Sequence, residues 1–191
     1  MLQPTHTAGG GVEEFFAYLN GIEGRAEYQG GVIYDMAGGE PDHSRIAGNL
    51  GGEIYSRLGD RSCSVFNSDL LVALNLSEAY FFPDLTVVCG PLERSEAYPT
   101  AITNPQIVVE VMSPSSVERD RTSKLIRYMQ LPSLREYLLV DTRRPAIEVV
   151  FINDQGHWDW ETVEGLDGNL NLRSLGMSIP MAKIYRLVEF G

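Results

Sequence analysis

The chain has 191 residues, 43% of them hydrophobic and 21% charged, enough for one domain to bury its own core without metal or disulfide staples. Fifteen Lys and Arg stand against 26 Asp and Glu, a net charge of −11, which excludes a protein that coats nucleic acid or an anionic membrane through its overall charge. No apolar run is long enough to span a bilayer and the first residues lack a basic, apolar leader, so the expectation is a soluble cytoplasmic chain without a membrane partner.

In chain order, residues 1–11 read as a flexible arm and 12–191 as a single domain. Val12, Phe15, Phe16 and Leu19 recur at helical spacing, predicting a short amphipathic helix to Asn20. Arg25 to Gln29 and Val32 to Met36 flank Gly30-Gly31, a hairpin turn. Asp42 is placed to cap a helix over 44–58, with Ile46, Leu50, Ile54 and Leu58 on one face. Strands follow at SVFNS, DLLVALNL, DLTVVC and QIVVEVM, then a helix over 116–131 that presents Leu125, Ile126 and Met129 to the core and stops at Pro132. EYLLVD, IEVVFI and GHWDWETV continue as strands, with Trp158 and Trp160 packing from one face, before a short terminal segment at 181–188. A helix set among apolar strands predicts an α+β or α/β fold with a central mixed sheet flanked by helices, preceded by an N-terminal helix and hairpin. Cys63 and Cys89 are too few for a disulfide framework and wrongly spaced for zinc, so they are expected as reduced core thiols.

Two acids fall where burial is costly. Glu110 stands inside the continuous apolar run 107–112, of the kind found in strands covered on both faces, where an unpaired carboxylate must raise its pKa or find a cation. Asp84 opens a similar strand directly after Pro83. If those strands are neighbours, the carboxylates converge and can bind a hard divalent cation. Either acid alone is also compatible with a turn former or an edge residue. Asp120, Lys124 and Tyr128 recur every four residues on one helix face, with Arg127 beside them. An ammonium held there can orient a water and stabilise charge growing on phosphate oxygens, although an Asp120–Lys124 surface pair is the simpler reading of that spacing. Charge favours the first. Residues 111–144 hold 7 basic against 4 acidic side chains, the one positive stretch, and it follows directly after Glu110. Ser113, Ser115 and Ser116 precede the helix, where they could hold a phosphate or cap it.

Pro83-Asp84, Val-Val-Glu-Val-Met-Ser-Pro-Ser-Ser from Val108, then Asp120, Lys124 and Tyr128, together resemble the PD-(D/E)xK nuclease superfamily, and within it the Uma-type restriction-endonuclease-like proteins. Leu-Pro-Ser-Leu-Arg-Glu-Tyr-Leu-Leu-Val-Asp from Leu131 is similar to that branch too, and the likeness spans about Glu27 to Tyr185. The resemblance implies a restriction-endonuclease-like core in which Asp84, Glu110 and the Val111 carbonyl ligate Mg²⁺ or Mn²⁺ and Lys124 is the active-site lysine. It departs from the usual motif in one respect: the position two residues after the second acid is Met112, so the lysine is expected to have moved to the following helix. Glu27, His43 and Asp69 fall where this branch carries polar residues near the pocket and are expected as accessory groups, with Asp120 and Tyr128; His43 is equally placed for a helix cap. The implied function is a metal-dependent DNA endonuclease that leaves a 5′ phosphate and works as a homodimer. A catalytically silent binding or regulatory module on the same fold, and a phosphodiesterase for small molecules, stay open as alternatives.

Overall fold

The computed structural model describes residues 6–7, 11–36, 40–74, 78–113 and 117–190. Its backbone is a six-stranded mixed sheet, a five-stranded sheet and a small two-stranded ribbon, with helices against them. The six-stranded sheet is built from β4 (Cys63–Asn67), β7 (Leu85–Cys89), β8 (Ile107–Met112), β9 (Glu136–Asp141), β10 (Ala146–Ile152) and β11 (Trp158–Glu164), in the spatial order β11-β10-β9-β8-β7-β4. Only β8 and β9 run parallel, and they are joined through the helical segment between them. All six residues of β8 and of β9 are buried, as expected of strands covered on both faces.

Alternation along β8 sends its side chains to two different cores. Ile107, Val109 and Val111 pack with α2 (Pro41–Leu58), whose stripe of Ile46, Leu50, Ile54 and Leu58 recurs every four residues. Val108 and Met112 face the other side, against Tyr128, Leu134 and Tyr137. Glu110 shares this second face by the period of two. The approach of α2 to the sheet is close: a Cβ added to Gly51 would come 3.0 Å from Leu85 Cδ2. A side chain there would push the helix off β7.

The second sheet, ordered β1-β3-β2-β6-β5, comprises β1 (His6–Thr7), β2 (Ala26–Gln29), β3 (Val32–Asp35), β5 (Val72–Leu74) and β6 (Ala79–Phe81). Gly30 and Gly31 carry φ of 55° and 86° at the β2–β3 turn, the left-handed pair that a two-residue hairpin requires. The helix α1 (Val12–Gly21) packs on this sheet through Phe15, which stacks with Tyr28. β12 (Asn169–Leu172) and β13 (Met177–Pro180) form the ribbon, and α5 (Met181–Ile184) closes the α2 side of the core.

Several expectations are corrected. α2 starts at Pro41, not after Asp42; proline at the first helical position loses no hydrogen bond there, and Asp42 instead pairs with Arg45 inside the first turn. The stretch expected as one helix over 116–131 is α3 (Val117–Arg119), a π-helical turn (Asp120–Lys124) and α4 (Leu125–Tyr128); residue 116 lies outside the described residues. Ile126 is 60% exposed, whereas Asp120, Lys124 and Tyr128 are buried, so the inward face of this segment is mainly polar. Trp158 packs on the second core, but Trp160 is exposed on the edge strand β11. The cysteines are not free thiols: the β4–β7 register sets Cys63 directly opposite Cys89, and the two form a disulfide. Of the expected arm, His6–Thr7 pairs with β3, and residues 1–5 and 8–10 lie outside the described residues. Among the described residues no helix is long and apolar enough to cross a membrane.

Candidate active site

The β7–β8 ladder pairs Leu85 with Val109, so one further step sets Asp84 opposite Glu110 at the end of the sheet. Directly opposed residues of antiparallel neighbours share a face, and this brings the two carboxylates to one cavity. Asp84 Oδ2 accepts a 2.7 Å hydrogen bond from the Val111 N–H, which fixes its carboxylate across the strand gap. The cavity has a volume of about 840 Å³ and lies between α2, β4 and the ends of β7 and β8. Asp84, Glu110, Val111, Lys124, Asp120, Glu27, His43 and Ser113 all line it.

Lys124 is delivered by the π-turn. Its Nζ donates to Glu110 Oε1 at 3.0 Å and to Glu27 Oε1 at 3.0 Å, with Asp120 Oδ1 at 3.4 Å. Glu27 comes from β2 of the other sheet. Its Oε1 also accepts from the Phe82 N–H at 3.1 Å, and its Oε2 accepts from Arg119 Nη1 at 2.6 Å. The Arg119 guanidinium lies 4.1 Å over the Tyr34 ring, so it braces Glu27 from behind the cavity wall.

Charge in this cluster does not balance. Four carboxylates, Glu27, Asp84, Glu110 and Asp120, surround two permanent cations, Lys124 and Arg119, leaving two negative charges in excess. Protonation partly absorbs the excess. Burial raises the Glu110 carboxyl well above its usual range; Lys124 opposes the rise, while Asp120, Asp84 and Glu27 add to it. Burial also pushes Glu27 upward, but Lys124 and Arg119 outweigh it and hold that carboxyl below its ordinary value. For Lys124 the burial penalty is overcome by Glu110, Glu27 and Asp120, so the ammonium is firmly charged. His43 Nε2 lies 3.2 Å from Asp84 Oδ2. Burial lowers its pKa, and the hydrogen bonds to Asp84 and to the Val111 backbone raise it by more, leaving the imidazole above its usual value.

The donor set fits a hard divalent cation in part. Two carboxylates, one backbone carbonyl and an excess of two negative charges suit Mg²⁺ or Mn²⁺. Among the described residues, no hydrogen bond engages Asp84 Oδ1 or Glu110 Oε2. The same residues contain no cluster of three His, Cys, Asp or Glu side chains arranged around one point, so water and substrate oxygens would complete the shell.

The remaining sequence candidates are distributed differently. Tyr128 is buried between Phe81 and Tyr137, at ring distances of 5.5 and 5.4 Å, and its hydroxyl has no hydrogen-bond partner among the described residues. Asp69 sits outside the cavity walls, its side chain 77% exposed and 3.8 Å from Arg25. Arg127 is also outside them, against Gly30 of the hairpin turn. Ser115 and Ser116 lie outside the described residues. Arg119 was not singled out by the sequence; the available signal was its place directly before Asp120, in a run where every second residue is charged.

A central mixed sheet flanked by helices, with acids and a lysine gathered at the sheet's end, defines the restriction-endonuclease-like class of nuclease folds. The chain belongs to the Uma2 family, described as "Putative restriction endonuclease", which it matches over residues 12–182. Among similar proteins are two uncharacterized proteins of Synechocystis sp. (strain PCC 6803). One is 35% identical over 178 residues, covering 93% of this chain and 92% of the relative; the other is 34% identical over 117 residues, covering 61% and 66%. The crystal structure of a "putative nuclease belonging to DUF820" from Anabaena variabilis shares the fold with a TM-score of 0.73 at 18% identity, over 91% of this chain and 97% of that one.

Proposed function

We propose that this protein is a metal-dependent DNA endonuclease, with Asp84, Glu110 and the Val111 carbonyl holding Mg²⁺ or Mn²⁺ and Lys124 serving as the active-site lysine. The observation that carries the reading is the 3.0 Å contact between Lys124 Nζ and Glu110 in the cavity that Asp84 also lines. A divalent ion there supplies a Lewis acid, which lowers the pKa of water and neutralises phosphate charge. The chain's own residues do the rest. Glu27 and Arg119 hold the ammonium rigidly, so its positive charge is in position before charge grows on a phosphoryl oxygen. The Val111 N–H and His43 orient the Asp84 carboxylate. Hydrolysis places the water's oxygen on phosphorus and its proton on the departing 3′ oxygen, leaving the 5′ phosphate that the family resemblance implies. Membership of the Uma2 family supports a nuclease, and the positive stretch 111–144 supports a phosphodiester substrate.

Nicking of supercoiled plasmid in Mg²⁺ tests this. Activity should disappear with a chelator and in Asp84→Ala, with circular dichroism confirming that the variant is folded. Nicking that persists in Asp84→Ala would overturn the reading. Hydrolysis of a chromogenic phosphodiester without any cleavage of DNA would redirect it to small-molecule substrates.

A further inference from the structure

The shape of the cavity restricts what can reach its floor. Glu110 and Lys124 are each 4% exposed, the deepest of the groups that line it, while Asp84 and His43 stand nearer the opening with side chains 12% and 20% exposed. A volume of about 840 Å³ suits a ligand of one or two nucleotides and is far too small for the body of a duplex. In an intact duplex each phosphate is flanked by its neighbours and by the opposite strand, so a recessed site cannot close around it.

Charge gives the same restriction independently. A duplex carries one negative charge per ~1.7 Å of axis and needs a broad basic footprint. This chain has a net charge of −11, and the cavity walls offer Arg25 and Lys124 as cations beside Glu27, Glu40, Asp84, Glu110 and Asp120. One strand entering end-on or as a loop presents few phosphates at a time.

The wall formed by α2 then supplies a place for a base. Tyr55 lines the cavity and is 73% exposed, an unusual position for a large aromatic side chain that no neighbour stacks upon among the described residues. Gly48 and Gly52 share its helix face, and a Cβ added to either would meet nothing within 4 Å, so the way from Tyr55 toward His43 is open. Resting on the endonuclease reading above, we propose that the substrate is single-stranded DNA, with a base stacked on Tyr55 at the cavity mouth while the adjoining phosphodiester reaches Asp84 and Glu110. An occupant that is a single strand also removes the need for a two-fold pair of active sites.

Fluorescence anisotropy with a labelled deoxyoligonucleotide, single-stranded or annealed to its complement, tests the assignment without metal. The single strand should bind at least tenfold more tightly than the duplex. Tyr55→Ala should weaken it roughly tenfold, as expected for loss of one stacked base, and Tyr55→Phe should not. Gly52→Leu, whose side chain enters the open space, should weaken it comparably. Equal or tighter binding of the duplex, indifference to Tyr55→Ala, or preference for a ribo-oligonucleotide of the same sequence would each overturn the proposal. The two readings fail separately. Tyr55-dependent binding of the single strand with no cleavage of any DNA in Mg²⁺ leaves this inference standing and ends the hydrolytic one. Mg²⁺-dependent duplex cleavage that ignores Tyr55 does the reverse.

Discussion

Glu110 and Glu136 are buried carboxylates on adjacent central strands, β8 and β9, 4% and 1% exposed, yet their surroundings have little in common. Glu136 begins its strand and accepts from the Arg173 N–H and the Ser174 hydroxyl, both at 2.6 Å. Those donors belong to the turn before β13, and they tie the ribbon to the sheet. Glu110, three residues into its strand, meets an ammonium shared with two other acids and opens onto a cavity. Burial of an acid is therefore a poor marker of chemistry. The informative difference is that one carboxylate is satisfied by donors that cannot leave, while the other sits in a cluster with more negative charge than its cations neutralise.

Substitutions can sharpen that contrast. The largest effect is expected from Lys124→Ala, which leaves Glu110, Glu27 and Asp120 buried without their shared cation; chemical denaturation should report a loss of about 3–5 kcal/mol, together with abolished cleavage. Glu110→Gln removes one of the excess charges, so stability should hold or rise while cleavage falls at least on the order of 10²-fold, and the stabilisation that Mg²⁺ gives the wild type in a thermal melt should shrink. Glu136→Gln should behave the opposite way, losing about 1–3 kcal/mol with turnover retained. A Glu110→Gln protein that unfolds as readily as Glu136→Gln would erase the distinction. A subtler effect concerns pH. Burial raises the Glu136 carboxyl, with the Ser174 hydroxyl and the backbone N–H groups of Arg173 and Ser174 pulling it partly back. A raised value means the folded state holds the proton more tightly, so this contribution to stability is complete below the ordinary carboxylate range and is lost as pH rises through the folded value. The stability difference between wild type and Glu136→Gln should therefore narrow over that interval in denaturation at stepped pH. Smallest is Asp69→Ala, on an exposed turn outside the cavity, expected to change stability and cleavage by no more than about 0.5 kcal/mol.

Local pattern carried a good deal of this molecule. The unbroken apolar run at 107–112 identified a doubly covered strand, Gly30-Gly31 identified the hairpin, and the spacing of Asp120, Lys124 and Tyr128 placed all three on the buried face of their segment. What escaped depends on register between distant strands or on departures from ideal helix geometry. Cys63 and Cys89 pair only because β4 and β7 align them, and nothing within either strand encodes that alignment. Arg119 matters through Glu27, 92 residues away in sequence and on the other sheet. Ile126 was assigned inward by a period of 3.6, which the π-turn beside it does not obey.

That widened turn has a consequence for how the gene can vary. Over Asp120–Lys124 the chain spends an extra residue on one revolution, and the inward positions on either side are phased to that surplus. Deleting Thr122 or Ser123 would return the segment to ordinary winding and swing everything after it by about 100° relative to what precedes. Lys124 and Tyr128 could not both keep their present directions. The stretch should accept exchanges of amino-acid letters far more readily than a change in their number.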